Sequence, residues 1–122
     1  MIKTLIFVAL GSGLGGVLRV LLSLWLNDKY AKGLPLPLGI FVVNILGCFA
    51  LGLCVAYLKD KPNFGSLYAF LTLGVLGGFT TFSTFSLEVV QLFIQNQTAK
   101  ALLYATLSTG LGVLACYAGS RL

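Results

Sequence analysis

Polar residues along this 122-residue chain fall in short clusters that cut a nearly continuous apolar sequence into four lengths. The clusters read "NDKYAKGLPLP", "KDKPNFG" and "QNQTAK". They bring together charges, amides, Gly and Pro, the residue types that end helices and make turns. Between them run apolar segments at about 2–26, 36–58, 66–95 and 99–120. Crossing the hydrocarbon core takes about 20 helical residues, so each segment predicts a transmembrane helix. The third is too long by roughly ten residues for an upright crossing. It contains "GVLGGFTTFSTFSLE", in which two adjacent glycines and five hydroxyl residues interrupt the apolar run. Each Gly costs about 1 kcal/mol relative to Ala in a helix, which predicts a broken helix with its weakest point at Gly77-Gly78. At membrane depth a break is tolerated only where its backbone groups face protein, water or an ion.

Composition agrees with this pattern and narrows it. The chain is 58% hydrophobic and 9% charged, with three acidic residues and no His, against about a quarter charged in soluble domains. The expectation is an all-α integral membrane protein with four transmembrane helices, forming one channel-sized domain over 1–122. The first segment is too long for a signal peptide, is interrupted by Arg19 and lacks a small-x-small cleavage site. A net charge of +5 is explained by Lys and Arg at lipid headgroups, and nothing favours nucleic acid. Cys48, Cys54 and Cys116 lie inside apolar runs and read as small packing residues. Four such helices leave little room for a substrate path, which points to an oligomer.

Charge does not decide orientation. Lys3, Lys59, Lys61 and Arg121 fall on one side, and Lys29, Lys32 and Lys100 on the other. If Arg19 reaches toward the first loop, the balance is four against four. Either the topological signal is weak or the chain inserts both ways and pairs head to tail. Small residues recur at four-residue spacing: Gly11 with Gly15, Ser12 with Gly16, Cys48 with Gly52, Gly74 with Gly78. Such pairs let helix backbones approach closely, and packing within one subunit is the simpler use of each.

Catalysis is poorly supplied. Without His, and with Asp28 and Asp60 in loops, no nucleophile–base pair or carboxylate dyad emerges, and metal catalysis lacks ligands. The membrane segments instead hold hydroxyls, one amide and aromatics. At 100° per residue, Phe82 and Phe85 share one face of a continuous helix; Thr80 and Thr84 share nearly the opposite one, with Ser83 between. Asn44 is the only amide in the second segment, and Tyr104 and Ser108 stand one turn apart in the fourth, continued by Gly112. Ordinary packing accounts for the Phe pair and helix-to-helix bonding for Asn44. Together, however, these groups offer N–H and O–H donors and positive ring edges without a fixed charge. That suits a small, hard anion.

The run "GGFTTFSTFSLE", with Asn44, Arg19 and four short crossings, resembles the bacterial fluoride channels called Fluc or CrcB over essentially the whole chain. The resemblance implies a fluoride-selective channel for passive export, built as an antiparallel, dual-topology homodimer with two pores in the lipid bilayer of the bacterial inner membrane. It implies a structural sodium ion (Na+) at the dimer centre, held by the backbone carbonyls of Gly77 and Thr80. The fluoride pore would draw on Asn44, Phe82, Phe85, Ser83, Thr84, Tyr104 and Ser108. Arg19 and Glu88 would serve at a pore entrance or in the structure. Two positions depart from the family pattern: Ile40 and Gly112 stand where hydroxyls are common. Small multidrug antiporters also have four short crossings and dual topology, but they need a first-helix carboxylate where this chain has Arg19. A structural membrane subunit without a pathway leaves the hydroxyl and Phe groups without a purpose.

Overall fold

The computed structural model describes residues 1–30, 37–62 and 65–122. Lys32 and the Gly-Pro part of the first loop lie outside the described residues, as do Asn63 and Phe64. Four helical spans are long and apolar enough to cross a membrane: Ile2–Lys29, Leu38–Leu58, Gly65–Ile94 and Thr98–Arg121. The chain is therefore a multi-pass, all-α membrane protein, with ends close to those expected from the apolar segments. Among the described residues all three cysteines are free thiols.

Helix α1 (Ile2–Lys29) and helix α2 (Leu38–Leu58) are continuous. At the start of α2 the Asn27 side chain of α1 accepts the Gly39 N–H at 2.9 Å. It thereby pairs one of the orphan donors at a helix N-terminus. Gly39 is required at that crossing, because a Cβ there would stand 2.6 Å from the Ser23 carbonyl oxygen.

The third span is composite. It begins as α3 (Gly65–Ala69), widens into a π-helical stretch (Phe70–Leu76) and closes with the short α4 (Gly77–Phe79). After two extended residues it resumes as α5 (Phe82–Ile94). In the wide stretch the Gly77 N–H reaches the Thr72 carbonyl, five residues back. The Thr72 hydroxyl meanwhile donates to the Tyr68 carbonyl at 2.7 Å, the acceptor an α-helix gives to the Thr72 N–H; such local bonds compete with regular helix pairing.

The interruption was expected at Gly77-Gly78, and the structure moves it. Gly77 is helical (φ −62°, ψ −40°), whereas Thr80 (φ −85°, ψ 156°) and Thr81 (φ −150°, ψ 127°) are extended. Glycine weakness lost to packing. The glycines are held in helical form against α1, where a Cβ on Gly78 would collide with the Ser12 backbone and one on Gly15 with the Val75 carbonyl. Gly11 and Gly74 meet in the same way, so the small-residue pairs of α1 and of the third span serve each other within one subunit. Gly52 does likewise with Gly119 of helix α6 (Thr98–Arg121).

The moved break corrects one wheel argument. Thr80 and Thr84 were placed on one face of a continuous helix, but Thr80 is extended and outside α5. The side-chain core lies elsewhere, between α5 and α6. Tyr104 and Ala101 are fully buried there beside Leu92, with Phe41, Phe85 and Val89 packed around them.

Candidate functional site

Thr81 opens α5 as its N-cap, accepting the Thr84 N–H on its hydroxyl at 3.2 Å. Its side chain also lies 3.2 Å from the Ser83 hydroxyl. Hydroxyl residues are favoured at caps because they accept an N–H that the helix leaves unpaired. The Thr81 backbone is bound at both ends by one side chain. Asn44 Oδ1 accepts the Thr81 N–H at 2.8 Å, and Asn44 Nδ2 donates to the Thr81 carbonyl at 3.0 Å.

These bonds determine which carbonyls are released. An α-helix pairs each carbonyl with the N–H four residues on. For Gly77 that donor is the Thr81 N–H, which goes to Asn44. For Thr80 it is the Thr84 N–H, which goes to the Thr81 hydroxyl. The two carbonyls singled out in the sequence are thus the two whose helical donors bond elsewhere. Gly77 lies on the exposed side of the span, and a Cβ there would meet only the Thr72 carbonyl oxygen, at an ordinary 3.5 Å. Two uncharged carbonyl oxygens fit a hard monovalent cation in chemistry, and a second pair is needed to approach a full oxygen shell.

Beside the break is an open cavity of about 320 Å³. Asn44, Thr80, Thr81, Phe82, Phe85 and Ser108 contribute to its walls, with Cys48 and Gly112 below. Gly47, one turn along α2 from Asn44, admits this geometry because any Cβ would strike the Thr80 γ-methyl. Phe82 and Phe85 face one another at 5.7 Å between ring centroids. Phe85 also rests on Tyr104 at 5.4 Å, while Phe82 is 78% exposed on the isolated subunit. Ser108 Oγ is buried and has no hydrogen-bond partner within the described chain, leaving its polar capacity for something in the cavity.

Of the residues singled out in the sequence, Asn44, Phe82, Phe85 and Ser108 come together here. Ser83 and Thr84 do not line the cavity; they belong to the cap beside it. Tyr104 stands behind Phe85 and donates its hydroxyl to Glu88 Oε1 at 2.8 Å, which gives Glu88 a partner inside the bundle. Arg19 sits in a shallow groove on α1 with Ser12, Gly13 and Gly16, away from this cavity. Thr81 was missed, although a Thr directly before an apolar run is a legible cap signal. Cys48 was read only as packing, yet its Sγ occupies the space left by Gly112, 3.5 Å from where a Cβ would stand.

A broken third span, a donor-bearing cavity and paired Phe rings define a membrane protein built around a small polar pathway. Residues 6–120 match the family described as "CrcB-like protein, Camphor Resistance (CrcB)", and the chain belongs to that family. It is 47% identical over 119 residues to a Flavobacterium psychrophilum protein named fluoride-specific ion channel FluC, covering 96% of this chain and 94% of the relative. Proteins of the same name from Rhizobium meliloti (39% identity, 97% and 94% covered) and Thermus thermophilus (40% identity, 99% and 94% covered) are also similar.

Proposed function

We propose that this chain is the subunit of a fluoride-selective ion channel in the bacterial inner membrane, not an enzyme, and that it lets fluoride leave the cytoplasm passively. The observation that carries the reading is the cavity itself. It joins a buried, unpartnered Ser108 hydroxyl to the ring edges of Phe82 and Phe85. No Lys, Arg, Asp or Glu lines it. A bare ion in a low-dielectric medium costs tens of kcal/mol. A hydrogen bond to a charged group returns about 1.5–3 kcal/mol, so passage needs several weak donors in sequence plus retained water. A fixed cation would hold fluoride too tightly to let it leave.

Two features support a pore completed by a second subunit in antiparallel orientation. Phe82, next to the polar cavity, is 78% exposed on the subunit, and the cavity is open along that side. The Gly77 carbonyl, on an exposed face, has no helical donor; facing lipid, such a group costs several kcal/mol. A two-fold axis near Gly77 would bring four carbonyls together, from Gly77 and Thr80 of each copy. Those oxygens would hold a sodium ion, which supplies positive charge to join the two breaks. Each dimer then carries two pores.

Fluoride and chloride efflux from liposomes holding the purified protein tests the reading. Fluoride should leave far faster than chloride, with no nucleotide or proton gradient. Equal chloride flux, or none of either ion, overturns it.

A further inference from the structure

We infer that Asn44 acts chiefly as a positioning residue: its amide clamps the Thr81 peptide, holds the break open and keeps the Gly77 carbonyl out of helical pairing. The inference rests on the channel reading only for its consequence on sodium and flux. A primary amide has one oxygen and two N–H donors. The oxygen and one donor of Asn44 are bound to the two ends of a single residue, Thr81, at 2.8 Å and 3.0 Å. The opposite orientation would set N–H against N–H and oxygen against oxygen, so the bonding fixes how the amide points. One N–H is left over, and the amide offers an anion no more than a single bond.

Without Asn44 the Thr81 N–H has two choices. It can return to the Gly77 carbonyl, which heals the helix and withdraws that oxygen. Alternatively it stays unpaired at membrane depth, at a cost of several kcal/mol. The clamp removes both. It is fixed in position from α2, where Val43 is fully buried beside it and Gly47 lets the Thr80 γ-methyl come close. One side chain therefore belongs to the cavity wall and, through Thr81, to the carbonyls on the exposed side of the span. Cavity and carbonyls are joined by the two ends of one peptide unit.

The test compares the parent with Asn44→Leu, which keeps volume and removes both bonds, using threonine-¹⁵N-labelled full-length protein. The Thr81 amide should be protected from exchange in the parent and exchange about tenfold faster in Asn44→Leu, the loss expected for about one hydrogen bond. The Thr80 amide, bonded to the Leu76 carbonyl at 3.0 Å, should not change. Unchanged Thr81 exchange overturns the clamp and leaves Asn44 as a wall residue. If Asn44→Leu fails to fold, Asn44→Asp replaces it. The carboxylate keeps the acceptor but not the donor, so the Thr81 amide stays protected while its carbonyl ¹³C shift moves; an unmoved shift overturns the clamp. Sodium separates the two proposals. Dimer melting should rise with sodium in the parent, and the half-effect should need about tenfold more sodium in Asn44→Leu. A parent that ignores sodium, with Thr81 exchange responding as stated, rejects the cation reading and keeps the clamp.

Discussion

The two halves of the third span solve opposite packing problems. From Gly65 to Phe79 the chain is positioned by side chains it lacks. Gly74 and Gly78 lie against Gly11, Ser12 and their neighbours so closely that a methyl group on Gly78 has no room. From Phe82 to Ile94 it is positioned by side chains it has. Phe85, Val89 and Leu92 pack onto Ala101 and Tyr104, and the Tyr104–Glu88 hydrogen bond joins α5 to α6. Backbone contact allows no adjustment, whereas side chains can repack. The first half is therefore a rigid mount, and the second carries the chemistry that substitution can tune.

Identical substitutions in the first half should part company. Gly15→Ala drives a Cβ into the Val75 carbonyl and should cost about 3 kcal/mol or more, since overpacking against backbone relaxes poorly. It should show as loss of folded protein in detergent. Gly77→Ala meets only ordinary contact and relieves about 0.5–1 kcal/mol of glycine entropy. The subunit should keep its helical circular dichroism, yet dimer and flux should fall if Gly77 meets a second copy. A conducting, dimeric Gly77→Ala protein removes that glycine from the interface.

At the junction of the halves, Thr81→Val loses the hydroxyl that receives the Thr84 N–H and should lower stability by about 1 kcal/mol in thermal unfolding. Thr81→Ser should keep the cap. Equal losses in both variants would show that the methyl, not the hydroxyl, matters.

The smallest effect on folding belongs to the second half. Phe82→Ile should cost less than about 1.5 kcal/mol, because the ring is 78% exposed on the subunit. Fluoride efflux should nonetheless fall, since the polarised ring edge is gone. Phe85→Ile should cost more than Phe82→Ile because Phe85 also loses Tyr104. Normal conduction in both would make the rings packing residues.

The same division explains what the sequence disclosed. Four apolar lengths were plain, and so was a span too long to be one simple helix, because hydrophobicity and length are properties of the chain alone. The break was misplaced by three residues: glycine weakness is local, while the contacts of Gly15 and Gly78 that keep that stretch helical come from a distant segment. Asn44 was recognised as a polar group without its partner, since Thr81 lies 37 positions away. Assigning Ser83, Thr84 and Tyr104 to one polar track followed helix periodicity, which ignores that hydroxyls bond first to their neighbours. Glu88 had no stated role until Tyr104 was seen to reach it.

The wide π-helical stretch at Phe70–Leu76 has a consequence for how this gene can change length. An α-helix turns about 100° per residue, and a π-helical turn holds one more residue than an α-helical one. Deleting one residue there would let the stretch relax to α-helix while swinging everything downstream by about 100°. Thr81 would leave Asn44, and Phe82 and Phe85 would turn from the cavity. The connection after Leu58 should absorb an added or missing residue, but this buried turn should not. Length, more than residue identity, is what Phe70–Leu76 has to preserve.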